Sequence, residues 1–172
     1  TQQDSLAFAN AEGFYFDGQY QKAQTALQYY FDNFKQGAYL LKAHYYAYEC
    51  AERVGTDDEV VAHLNYILAQ PDNDYTDNAL LKMARIEYGK SNYSKAGEYY
   101  ERLSRITEEP LRRLGALEGS MKSNFFMGKY DKAIEMGESL RQSRDLTVEQ
   151  VNQINHIVGK SYFEKGNYNA AI

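Results

Sequence analysis

Tryptophan is absent from the 172-residue chain, which holds only one cysteine, Cys50, and two prolines, Pro71 and Pro110. A single thiol excludes an internal disulfide and any cysteine-based zinc site within the chain, and leaves the compartment open. With so few prolines, little interrupts helix formation. No run approaches the roughly 18 apolar residues of a membrane-spanning helix. Clustered positive charge is missing too: 19 Lys and Arg stand against 24 Asp and Glu, for a net charge of −5 and a pI near 5.3. The basic residues are scattered among acidic neighbours, as where Glu101 adjoins Arg102. Nucleic acid and anionic membrane surfaces, which need clustered Lys and Arg, are therefore poor partners. No glycine-rich phosphate loop, serine elbow or catalytic carboxylate pair occurs, so neither enzymatic activity nor a cofactor is expected. No signal peptide is present, and the chain opens on Thr1 rather than Met, as a processed protein or a fragment would.

What is abundant is tyrosine, with 17 residues, in a chain whose 44% hydrophobic and 25% charged composition is that of a folded domain. A short phrase recurs around these tyrosines. It reads Gly18-Gln19-Tyr20-Gln21-Lys22-Ala23, then Ser91-Asn92-Tyr93-Ser94-Lys95-Ala96, Gly128-Lys129-Tyr130-Asp131-Lys132-Ala133 and Gly166-Asn167-Tyr168-Asn169-Ala170-Ala171. The alanines stand 73, 37 and 38 residues apart, and the double gap holds a degenerate copy, Gly55 to Val60, with Val60 exactly one period of 37 after Ala23. A period of this length marks stacked supersecondary units. The small residue suits a turn out of one helix. The tyrosine wedges against that helix, and the alanine permits close approach of two backbones.

Between the phrases, apolar residues follow helical spacing, as at Leu80, Met83, Ala84 and Tyr88, or Ile154, Ile157, Val158 and Tyr162. The pattern predicts ten helices, near 5–17, 19–33, 37–53, 58–70, 76–90, 92–106, 109–127, 130–143, 147–165 and from 167 onward. Asp4, Asp57, Thr76 and Thr147 are the expected starts, with a capping box at Thr147 and Gln150. The repeats run 4–36, 37–73, 74–108, 109–145 and 146–172 as one domain. The last helix is cut after six residues at Ile172, so the array is expected to continue. On that expectation helix 147–165 exposes Ile154, Ile157, Val158 and Phe163, a surface for self-association or for the missing chain.

These residues resemble the tetratricopeptide repeat. The fifth copy fills the family's slots with Gly159, Tyr162, Gly166, Tyr168 and Ala171; the first with Ala11, Gly18, Tyr20, Ala23 and Leu27; the third with Ala84, Tyr93, Ala96 and Tyr100. The second copy matches poorly, and the fourth has Met121 where a small residue is usual. The family period is about 34, so longer helices or loops are implied here. The resemblance implies an all-α, right-handed superhelical solenoid of about five hairpins. Residues 37–52, 69–71 and 76–88 are also similar in style to tyrosine-rich repeats of bacterial envelope proteins of the Tol-Pal-associated and outer-membrane-assembly lipoprotein group. That similarity implies a periplasmic or outer-membrane-associated location, the cytoplasm being the alternative.

In such a solenoid the first helix of each hairpin lines a concave groove, which implies a non-enzymatic scaffold for a protein or peptide. The alternative is an accessory or regulatory segment of a larger enzyme; a third reading has the repeats packing only on their own chain or a second copy. Counted from the family slots, the groove residues are Phe8, Glu12 and Tyr15 in the first repeat and His44 and Tyr48 in the second. The third contributes Leu81, Arg85 and Tyr88; the fourth Glu118, Lys122 and Phe125; the fifth His156 and Lys160. Phe8, Glu12, His44 and Tyr48 stand where a carboxylate clamp would need lysine, asparagine and arginine, so that mode is not expected. Packing between repeats is the competing role for each aromatic. His44, His63 and His156 read as separate residues, far apart in sequence and without the His-x-x-x-His spacing of a metal site. Cys50 reads as a buried thiol, and the loop from Asp72 to Asp77 as an acidic connection, since a calcium loop would need glycine at Asp77 and glutamate at Met83.

Overall fold

The computed structural model of the chain describes residues 1–171, with Tyr168 by its backbone alone; expectations resting on the Tyr168 side chain or on Ile172 lie outside the described residues. Among those residues the fold is all-α: α1 (Gln2–Phe16), α2 (Tyr20–Asn33), α3 (Leu40–Val54), α4 (Asp57–Ala69), α5 (Thr76–Gly89), α6 (Tyr93–Ile106), α7 (Pro110–Phe126), α8 (Tyr130–Arg141), α9 (Val148–Glu164) and α10 (Tyr168–Ala171). They form two compact units, residues 1–79 and 80–172, with α5 contributing to both.

In the first unit α1 pairs with α2 and α3 with α4, and α3 also packs on α1 and α2. Its core joins Phe8, Ala11, Ala23, Leu27, Tyr30, Ala43, Tyr46, Ala47 and Cys50. Cys50 is fully buried, and burial pushes its thiol up to about 11, which leaves it a packing residue at neutral pH. In the second unit α7 packs on α6 and α8, and α9 packs on α7, α8 and α10. Ala23, Ala96 and Ala133 have no exposed surface, and Val60 has 4%, so the repeated small slot lies at buried crossings.

The recurring phrase closes four helices in the same way. Gly18, Ser91, Gly128 and Gly166 all adopt positive φ, between 60° and 76°. Gly18 N donates to Tyr15 O and Gln19 N to Phe14 O, and the same pair of bonds recurs at Ser91 and Asn92, Gly128 and Lys129, and Gly166 and Asn167. This is the Schellman closure, which satisfies carbonyls the helix end leaves over. The tyrosine that follows then meets an aromatic of the first helix: Tyr20 with Tyr15 at 6.2 Å, Tyr93 with Tyr88 at 5.2 Å, Tyr130 with Phe125 at 5.7 Å. Ser91 alone holds the left-handed conformation with a side chain, which costs about 1–2 kcal/mol, partly offset by the greater unfolded freedom of glycine. Ser91→Gly is therefore expected to stabilise the second unit by about 0.5–1 kcal/mol. A urea midpoint that fails to rise would contradict this account of the turn.

The starts differ from expectation at α1, α3 and α4. Thr1, rather than Asp4, caps α1, its hydroxyl accepting from Asp4 N at 3.2 Å. Asp4 is instead buried, accepting from the Tyr30 hydroxyl at 2.5 Å and from Ala38 N at 3.0 Å. The Tyr30 hydroxyl, with Ala38 N–H, holds the Asp4 carboxyl below its usual value, while burial and Asp4 push Tyr30 up to about 12. Residues 37–39 are drawn into this network and not into a helix, which delays α3 to Leu40; a Cβ at Gly37 would run into the Tyr30 hydroxyl. Thr56, rather than Asp57, caps α4 through a capping box with Glu59. Thr147 and Gln150 form the box expected for α9.

The exposed apolar face expected on α9 is a correction. Ile154, Ile157 and Val158 are 1%, 7% and 2% exposed, in one core with Met121, Ala133 and Leu140. Helices α7 and α8 already cover that face, because a first helix turns its apolar side toward the hairpin before it. Phe163, 57% exposed, and Val148, 79% exposed, are what α9 turns outward.

Candidate functional site

In the first unit, α1 and α3 run side by side and present a tyrosine–carboxylate face. Phe8 stacks on Tyr39 with ring centroids 4.7 Å apart, Tyr15 stacks on Tyr46 at 4.2 Å, and Tyr45 stacks on Tyr75 at 4.4 Å. Two carboxylates tie these rings together. Glu12 accepts from the Lys42 ammonium at 2.7 Å and from the Tyr46 hydroxyl at 3.0 Å. Glu49 accepts from the Tyr15 hydroxyl and from the Tyr45 hydroxyl at 3.3 Å. Lys42 also lies over the Tyr46 and Phe8 rings, at 5.5 and 5.7 Å, a cation–π arrangement.

The electrostatics follow from this geometry. Burial, reinforced by Glu49, pushes Tyr15 far up; burial also raises Tyr45 and Tyr46. The hydrogen bond that Lys42 donates to Glu12 raises the Lys42 ammonium. The tyrosines thus remain neutral donors and the lysine remains charged at physiological pH. Glu12, Tyr15, Lys42, Tyr45 and Glu49 are all half-buried. The face offers rigid aromatic area and two carboxylates that already know their positions, a combination suited to a cationic side chain on a peptide.

The structure sorts the sequence-derived residues. Glu12 and Tyr15 belong to this face. Phe8 and Tyr48 do not line a groove; they are 3% and 8% exposed and serve packing, with burial raising the Tyr48 hydroxyl. His44 points elsewhere: it stacks on Tyr66 of α4 at 3.7 Å and on Phe31 of α2 at 4.3 Å. Its Nδ1 lies 2.9 Å from the Nδ1 of His63, so two histidines read as separate are in fact one pair within the α3–α4 hairpin. No group of three or more His, Cys, Asp or Glu able to hold a metal occurs among the described residues.

In the second unit, Leu81 and Arg85 line a hollow of about 360 Å³ with Tyr100, Glu109, Leu111 and Arg112. Glu118 and Lys122 pair at 2.6 Å, and Lys122 reaches Gln153 at 2.5 Å. Tyr88 and Phe125 are the first-helix aromatics against which Tyr93 and Tyr130 wedge. His156 and Lys160 are exposed on α9.

Lys42, Tyr45, Glu49 and His63 were missed by the slot count. The signal for two of them was present. Adding the 37-residue spacing of Ala23 and Val60 to Phe8 and Glu12 gives Tyr45 and Glu49; the family slots land one residue short, on His44 and Tyr48. One residue turns a helix by about 100°, enough to exchange the outward face for the packed one.

No known family profile matches the chain, and no curated protein matches it. Solved structures do. MamA from AMB-1 superposes with a TM-score of 0.69 at 15% identity, covering 99% of this chain and 86% of its own. MamA from MSR-1 gives 0.65 at 14% identity, with coverage of 100% and 92%. A putative kinesin light chain of Podospora anserina, described as nearly identical TPR-like repeats, gives 0.57 at 18% identity, with coverage of 97% and 89%. At this identity the likeness is one of fold, and it gives the helical hairpins of this chain the tetratricopeptide arrangement.

Proposed function

We propose that the chain is a non-enzymatic scaffold that binds a protein or peptide, and that the α1–α3 face takes a segment bearing lysine or arginine. The observation that carries this reading is the tyrosine–carboxylate network of Glu12, Glu49, Tyr15 and Tyr45. It is held in place before any partner arrives, so little ordering is lost on binding. The tetratricopeptide-type fold supports the same reading, since it displays such faces on rigid helices. The tyrosine-rich style of the repeats favours a cell-envelope setting, which fractionation of the native host tests; a wholly cytosolic protein removes that part.

Selection of displayed peptides against the chain tests the binding itself. Enriched peptides are expected to carry a basic residue. Tyr45→Ala, and Glu49→Gln, which keeps an acceptor for Tyr15, are each expected to weaken them about tenfold, or about 1.4 kcal/mol. Peptides bound equally well by both variants would place the site elsewhere.

A further inference from the structure

A second surface of the first unit lies on the other side of α1. Between α1 and α2 runs an open groove of about 440 Å³, lined by Ala7, Asn10, Phe14, Lys22, Ala26 and Tyr29 among others. The repeat spacing of 37 residues maps Ala7, Ala26 and Tyr29 onto His44, His63 and Tyr66. Those three line the matching position of the α3–α4 hairpin, and there it is filled: Phe31 of α2 stacks on His44 at 4.3 Å and sits 5.6 Å from His63. One turn earlier on α2, Leu27 is 1% exposed in the core with Ala43 and Ala47.

The adjoining flank of α1 repeats the comparison. Ala43, covered by the preceding hairpin, has no exposed surface, whereas its counterpart Leu6 is 72% exposed. Tyr29 is likewise 58% exposed. Groove and flank together are thus a docking surface whose filled version is visible one repeat along.

We infer that this groove receives an α-helix of a partner protein, carrying a leucine and a phenylalanine one turn apart, seated as Leu27 and Phe31 of α2 are seated on the next hairpin. The chemistry of the occupant comes from α2 itself: an amphipathic helix whose aromatic side chain enters between the two helices of the hairpin. A second copy of the chain does not supply it through α2, because Leu27 and Tyr30 are already buried in their own fold. The surface is separate from the α1–α3 face, so either proposal can fail alone.

The test uses the full chain and a peptide of residues 19–34, held helical by a lactam bridge across its outward side. Saturable binding is expected, with NMR shift changes at Ala7, Ala26 and Tyr29. Replacing Phe31 of the peptide with alanine is expected to weaken it at least tenfold, while Phe34 is left in place. In the chain, Ala26→Glu is expected to abolish binding, and Asn10→Arg, at an exposed position, does the same should the first variant fold poorly. Absence of saturable binding, shifts confined to the α1–α3 face, or indifference to the phenylalanine overturns the proposal. A concentration-dependent dimer that Asn10→Arg abolishes overturns it as well, in favour of a second copy.

Discussion

Ile154→Ala is expected to lower the stability of the second unit by about 2–5 kcal/mol, the range for truncating a large aliphatic side chain in a closed core. Ile154 is 1% exposed and shares its core with Met121, Leu140, Ile157 and Val158. Gly137 of α8 brings its backbone so close to α9 that an added Cβ would stand 3.6 Å from the Ile154 Cγ2 and closer still to Val158. Walls made of backbone cannot collapse into the space a missing side chain leaves, which puts the cost in the upper part of the range. Phe163→Ala, on the same helix but at a position 57% exposed, is expected to cost less than about 1 kcal/mol. Because the chain has two units, amide exchange along α9 reads the effect more directly than a single global melt. Equal costs at positions 154 and 163 would mean that α9 keeps its apolar face open after all.

Acid is expected to loosen the first unit through the His44–His63 pair. Burial, and then the charge of His63, depresses His44 to about 4, and burial lowers His63 while Glu59 opposes it. Among the described residues no carboxylate acts on His44, whose value burial and His63 set: α2 contributes Phe31 and α4 contributes His63 and Tyr66. At neutral pH one Nδ1 donates to the other across 2.9 Å; with both rings charged, two N–H groups would face each other. The folded value lies below the unfolded value of about 6.5, so the unfolded chain binds more protons between them. The contribution of His44 is therefore complete above about pH 6.5 and is lost as the pH falls toward 4. Complete burial would make the loss about 3 kcal/mol; the ring is partly open to solvent, and about 1–2 kcal/mol is expected. His44→Phe keeps the stack on Phe31 and Tyr66 and cannot titrate. Urea midpoints of the first unit between pH 7 and 4.5 should fall in the wild type and fall much less in the variant, a window that stays above the titration of Asp4. Parallel pH profiles for the two proteins would remove the pair from the acid response.

The recurrence of a small residue, a tyrosine two positions on and an alanine three further was enough to determine the helical hairpins. Each part of it is local chemistry: a left-handed turn, an aromatic wedge and a close crossing. The capping box of Thr147 and Gln150 was legible for the same reason, since both partners lie within one turn. What the sequence left undecided depended on partners far along the chain. Asp4 looks like a helix start until Tyr30 and Ala38, 26 and 34 residues away, claim its carboxylate. His44 and His63 look unrelated until α3 and α4 fold back on each other, because only an antiparallel hairpin brings residues 19 apart face to face. The outward face of α3 turned on a single residue of register, which hydrophobic spacing does not resolve in a helix covered on several sides. Tyrosine made that ambiguity worse: its ring serves equally as core at Tyr46 and as exposed surface at Tyr29, and only the neighbours each one meets decide which.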